Sequence, residues 1–115
     1  MFEEILNKFI ILDGVSSVTI IRDNGEVVES QKTGDFDDVQ LAAVISFVLE
    51  ESKSMASKLG NEPLSMVFIE FRDHILLSAP LNEHVFIVLV AKPNANIAQI
   101  NMELKKNRDQ LSRIL

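Results

Sequence analysis

The segment Val88–Lys106, VLVAKPNANIAQINMELKK, passes from an apolar run to helical spacing through Pro93-Asn94-Ala95-Asn96. That loop brings side-chain amides and free backbone N–H groups to a helix start, an arrangement that can hold an anion. No Gly-rich turn accompanies it, and Lys92 is the single adjacent basic side chain. Capping of the following helix by Asn94 or Asn96 accounts for the loop without a ligand. Asp35, Asp37 and Asp38 could begin a cation site, but no His or further carboxylate lies nearby to complete an oxygen-rich shell. They read instead as a helix start, with Asp35 as the cap and the other two beside the positive end of the helix dipole.

Other reactive groups are scattered. His74 follows a turn and His84 opens a strand, both positions where a solvated imidazole is common. Ser16, Ser17, Ser30, Ser46 and Ser78 have no recognisable base partner in sequence, and no HExxH, Walker A, GxGxxG or GxSxG pattern occurs. Glu50 and Glu51 sit on adjacent helix positions that face different ways, which does not make an acid/base pair. Arg22, Arg72, Arg108 and Arg113 each carry the group of an arginine finger, and nothing selects one. No catalytic residue, metal ligand or cofactor site is therefore assigned.

Composition narrows the field further. With 115 residues the chain fits one domain, 1–115, and 47% hydrophobic against 24% charged residues marks a folded globule. Cysteine is absent, which excludes disulfides and thiolate chemistry and fits a reducing compartment. A net charge of −6 opposes phosphate backbones, and Lys105, Lys106 and Arg108 are explained by a helix end, so no nucleic-acid partner is expected. No apolar run approaches the roughly 18 residues of a membrane span. MFEEILNK carries glutamates where a signal peptide carries positive charge, so a cytoplasmic location is expected.

The elements that must position these residues follow from periodicity. Phe2, Ile5, Leu6, Phe9 and Ile10 give an amphipathic helix that stops at Asp13-Gly14. VSSVTIIRDNGEVVES then reads as two strands around a type I′ turn at Asn24-Gly25. A long helix runs from Gly34-Asp35 to about Leu59. LSMVFIEF (Leu64–Phe71) and HILLSAP flank a hairpin turn at Arg72-Asp73. HVFIVLVAK, apolar at successive positions, predicts a strand buried on both faces at the sheet centre. A last helix from about Asn96 aligns Ile97, Ile100, Leu104, Leu111 and Leu115. The order α-β-β-α-β-β-β-α with hairpin connections predicts an α+β fold on an antiparallel sheet.

The long helix is apolar on two sides. Leu41, Val44, Ile45, Val48, Met55 and Leu59 form one stripe, expected to face the sheet. Val39, Ala43 and Phe47 form a second, with Ala42 and Ser46 beside it. A helix of this kind is covered twice, and a small domain has no further layer of its own, so a second copy is the expected cover. Leu64–Phe71 is long, apolar on both alternating faces and free of Lys or Pro, unlike a protected edge strand. The expected dimer interface comprises Val39, Ala42, Ala43, Ser46, Phe47, Met66, Phe68 and Glu70.

Three segments in order, LDGVSSVTIIRDNGEVVES, VQLAAVISFVLEESKSMASKLG and VFIVLVAKPNANIAQINMELKK, resemble the Roadblock/dynein light chain family over almost the whole chain. The resemblance implies a five-stranded antiparallel sheet with the long helix on one face and terminal helices on the other. It also implies a homodimer whose sheets join through the third strand. Family members are non-catalytic platforms. The terminal helix resembles that of prokaryotic regulators of Ras-like small GTPases, although those often carry Gly and Arg where this chain has Ala98 and Asn101. A Ras-like GTPase is thus the implied partner, with Gln40, Glu50, Glu51 and Ser54 as contacts. A scaffold subunit without a GTPase, or a small-molecule sensor or enzyme with a pocket between sheet and terminal helices, are the rival expectations.

Overall fold

The computed structural model describes residues 2–115. The chain folds as α1 (Phe2–Ile10), β1 (Val15–Arg22), β2 (Val27–Lys32), α2 (Asp38–Lys58), β3 (Val67–Glu70), β4 (Ile75–Pro80), β5 (Val85–Ala91) and α3 (Ile97–Ile114). The five strands form one sheet in the order β2-β1-β5-β4-β3, with each neighbouring pair antiparallel. The expected element order and sheet type are therefore present.

Every residue of β5 is buried, and its side chains divide strictly by parity. Val85, Ile87, Leu89 and Ala91 enter the layer built with α1 and α3, where Ile5, Leu6, Phe9, Ile100, Leu104 and Leu111 meet them. Phe86, Val88 and Val90 enter the opposite layer, with Ala42, Ile45 and Leu49 of α2. This alternation places the long helix on one face and the terminal helices on the other. Each fully buried Leu, Ile or Phe contributes about 1.5–3 kcal/mol, so β5 is the element both layers depend on.

The β1–β2 turn differs from the expected type I′. Gly25 alone in this turn has positive φ, at +89°, while Asn24 does not. Gly25 N–H donates to Arg22 O at 2.9 Å and Arg22 N–H to Glu26 O at 2.8 Å. This is a type I turn followed by a left-handed glycine, the three-residue hairpin loop. The Asn24 side chain contributes by accepting from Glu26 N–H at 3.0 Å. Gly25 also lies so close to α2 that an added Cβ would sit 3.1 Å from Ala43 Cα and 3.2 Å from Ser46 Oγ.

Two helix starts are settled by their caps. Asp37, not Asp35, caps α2, its carboxylate accepting from Gln40 N–H at 3.0 Å. The helix consequently begins three residues after the predicted Asp35. Asp38 in the first turn binds Lys32 Nζ at 3.2 Å. Asn96 rather than Asn94 caps α3, accepting from Gln99 N–H at 3.1 Å. Strand β3 is shorter than the predicted Leu64–Phe71, since only Val67–Glu70 pairs with β4.

Candidate protein-interaction face

Helix α2 turns about 100° per residue, and its buried side is Ala42, Ile45, Ser46 and Leu49. That corrects the predicted sheet-facing stripe by roughly one residue position. Val44, Met55 and Leu59, expected beneath the helix, are 62%, 60% and 70% exposed, and Leu41 and Val48 are half-buried on the flanks. Sequence could not separate the two stripes, because apolar residues occupy both and the sheet selects the one with small Ala42 and Ser46. On this side the chain's own β1–β2 turn approaches closely, Gly25 lying against Ala42 O, Ala43 Cα and Ser46 Oγ. Ala42 and Ser46 are 3% and 8% exposed within the single chain.

The remainder of the second stripe faces outward. Val39 is 62% and Phe47 73% exposed, and Ala43 is exposed beside them. Gln40, Glu50, Glu51 and Ser54 are exposed on the same helix side. The outward face is thus mainly apolar in its first half (Val39, Ala43, Val44, Phe47) and carries Glu50, Glu51 and Ser54 in its second, with exposed Met55 beside them. Glu50 lies 3.8 Å from Lys53 Nζ, an exposed pair of small energetic weight.

The face continues across a cleft to the sheet edge. Phe36, just before α2, and Leu41 and Val44 near its start line one side, and Phe71, Ile75, Leu76 and Val90 the other. The space encloses about 420 Å³, with Asp37, Gln40 and His74 at its polar rim. Strand β3 is an edge strand, as a pairing strand must be. Phe68 and Glu70 are exposed on one side of it, while Met66 just before it is half-buried against the terminal-helix layer. The opposite edge, β2, is guarded differently. It is broken by a bulge at Val28, carries Glu29 and the Lys32–Asp38 ion pair, and its Gln31 donates to Glu3 O of α1 at 3.3 Å. Charges and bulges of this kind discourage edge-to-edge pairing, and β3 has neither a bulge nor an ion pair between Val67 and Glu70.

Of the groups considered for chemistry, His74, Glu50 and Glu51 lie on this face, while several others serve the fold. His84 binds Asp23 through Nδ1 at 2.7 Å, and the imidazole beside Asp23 holds that carboxyl below its ordinary value. Asp23 N–H also donates to His84 O at 2.8 Å, so two loops are fastened at one sheet end. This pair, separated by 61 positions, was invisible to local motif reading. Lys53 joins the same end through Glu83 O at 3.0 Å and lies 4.8 Å from the Phe86 ring centre. Ser78 donates to Ile87 O and Arg108 to Pro80 O, both ties within the fold. Hydrogen bonding to Ser30, then to Lys32, lowers the pKa of Asp38. Among the described residues, no group of three or more His, Cys, Asp or Glu could hold a metal ion. No described helix is long and apolar enough to cross a membrane.

A five-stranded antiparallel sheet between one long helix and two terminal helices, with an open third strand, defines a Roadblock-type domain. The Roadblock/LC7 domain model matches residues 1–91, and the chain belongs to that family. Solved structures extend the likeness through α3. The gliding protein MglB of Thermus thermophilus superposes with a TM-score of 0.88 at 19% identity, covering 97% of this chain and 86% of that one. Myxococcus xanthus MglB gives 0.88 at 17% identity over 96% and 91% of the two chains. A structure described as MglB with tetrameric arrangement gives 0.89 at 19% identity over 97% and 85%. No relative among curated proteins matches.

Proposed function

We propose that the chain acts as a homodimeric Roadblock module that binds and regulates a Ras-like small GTPase in the cytoplasm, with no active site of its own. The observation that carries this reading is the outward face of α2, where Val39, Val44 and Phe47 stand exposed beside the unguarded edge β3. Large exposed apolar side chains gathered on one face mark a protein-binding surface. The contrast between the guarded β2 edge and the bare β3 edge supports β3 as the edge at which two copies join. Pairing there would extend the sheet across both protomers and bring their α2 helices together.

The GTPase part of the reading rests on the family and on the branch that α3 indicates. Likeness to the MglB structures runs through this helix, since they cover 96–97% of the chain. The polar residues of the α2 face, Gln40 in its first turn and Glu50, Glu51 and Ser54 in its second half, supply the partner contacts. Polar and charged groups beside an apolar seam steer and select a partner more than they add affinity. The test is a pull-down with Ras-like GTPases of the same organism, each loaded with GTP analogue or GDP. Retention that depends on nucleotide supports regulation, whereas retention indifferent to nucleotide assigns the module to scaffolding.

A further inference from the structure

We infer that the cleft between α2 and the β3–β4 hairpin is a socket for Phe47 of a second copy of this chain. This rests on the dimer reading and adds to it which side chain enters which recess. A two-fold interface uses one patch on both copies, so that patch must hold both a protrusion and a recess to receive it. Here the two are adjacent. Phe47 stands 73% exposed, and Val44, less than one turn before it, already forms the cleft wall. The recess is apolar along both walls, with Leu41, Leu76 and Val90 in its lining. Its volume of about 420 Å³ exceeds the roughly 150 Å³ that accommodates a benzene ring.

The amount of surface fits this occupant. Val39, Val44, Phe47 and Phe71 are 62%, 62%, 73% and 55% exposed. At side-chain areas of roughly 150–200 Å² they leave on the order of 400 Å² of apolar surface per copy. A standard interface covers about 800 Å² per partner, and homodimer interfaces are about 65% apolar. The patch therefore supplies most of the apolar share of one half-interface. A two-fold axis perpendicular to α2, lying between Phe47 and the Gln40–Val44 wall of the cleft, runs the two helices in opposite directions and so opposes their dipoles.

The experiment is an isotope-filtered NOE measurement on mixed labelled and unlabelled protein, with sedimentation on the same sample. The expected result is a dimer with NOEs between copies from the Phe47 ring to methyl groups of Leu41, Leu76 and Val90. A dimer lacking those NOEs overturns the socket and leaves the dimer standing. A monomer at the concentrations used overturns both. Phe47→Ala gives a second readout without added charge: the dimer dissociation constant is expected to rise at least tenfold, and an unchanged constant contradicts the socket.

Discussion

Ser46 and Phe47 are consecutive on α2 and serve opposite surfaces: Ser46 is 8% exposed, against the β1–β2 turn, and Phe47 is 73% exposed. One residue of rotation separates the side of the helix that builds the fold from the side that meets other molecules. Phe47→Glu should therefore convert dimer to monomer while changing the stability of the monomer by no more than about 0.5 kcal/mol. Sedimentation velocity and urea denaturation report the two quantities separately. An undiminished dimer would remove α2 from the interface.

Gly25 sets the distance between the β1–β2 turn and α2. Gly25→Ala must hold a Cβ at φ +89° and push it toward Ala43 and Ser46. Gly60, at φ +95° with open space around it, isolates the backbone component. Gly60→Ala should cost about 1 kcal/mol from the left-handed conformation alone, and Gly25→Ala about 2–3 kcal/mol once crowding adds to it. Equal losses in denaturant titrations would mean that the close approach of turn and helix carries no weight.

The start of α2 offers a sharper local test. Asp37 caps the helix, whereas Asp35, the cap expected from sequence position, lies outside it. Asp37→Ala should lose about 1 kcal/mol of stability, and Asp35→Ala should stay within about 0.5 kcal/mol. Reversal of that order in thermal melts would place the helix start where the sequence alone put it.

Acid should act through Asp23. Its hydrogen bond with His84 keeps the folded carboxyl below the ordinary value of 3.8. On acidification the unfolded chain takes up this proton first. The pair's stabilisation is thus present above that range and disappears as pH falls through the lowered folded value. Thermal melts should show wild type above Asp23→Asn at neutral pH, with the gap closing as pH falls below 3.8 and through the lowered folded value. A gap that stays constant through that fall would assign the difference to something other than this carboxylate.

How far the sequence could be read depended on whether a feature was periodic or spatial. Element order, the central position of β5 and the two-layer arrangement follow from apolar alternation and hairpin signals, and these were legible. The outward position of Val39, Ala43 and Phe47 was legible too, as an excess of apolar residues on one helix. The phase of the buried stripe was not. Leu41, Val44, Ile45 and Val48 satisfy the period as well as Ala42, Ile45 and Leu49, and only the close turn at Gly25 requires small residues underneath. The type I turn escaped because Asn24-Gly25 permits two loop geometries, and the neighbouring Arg22–Glu26 backbone pair decides between them. The Asp23–His84 tie and the cleft arise from strands far apart in sequence, so no local pattern announces them.

The central claim, regulation of a Ras-like GTPase through the α2 face, is tested most directly by calorimetric titration of a Ras-like GTPase from the same organism. The GTPase is loaded with GTP analogue or with GDP, and wild type is compared with Glu50→Lys/Glu51→Lys. The expected result is binding at least tenfold tighter in one nucleotide state, about 1.4 kcal/mol or more, weakened by the double variant with the dimer intact. Equal affinity in both nucleotide states, or binding untouched by the double variant, would contradict it.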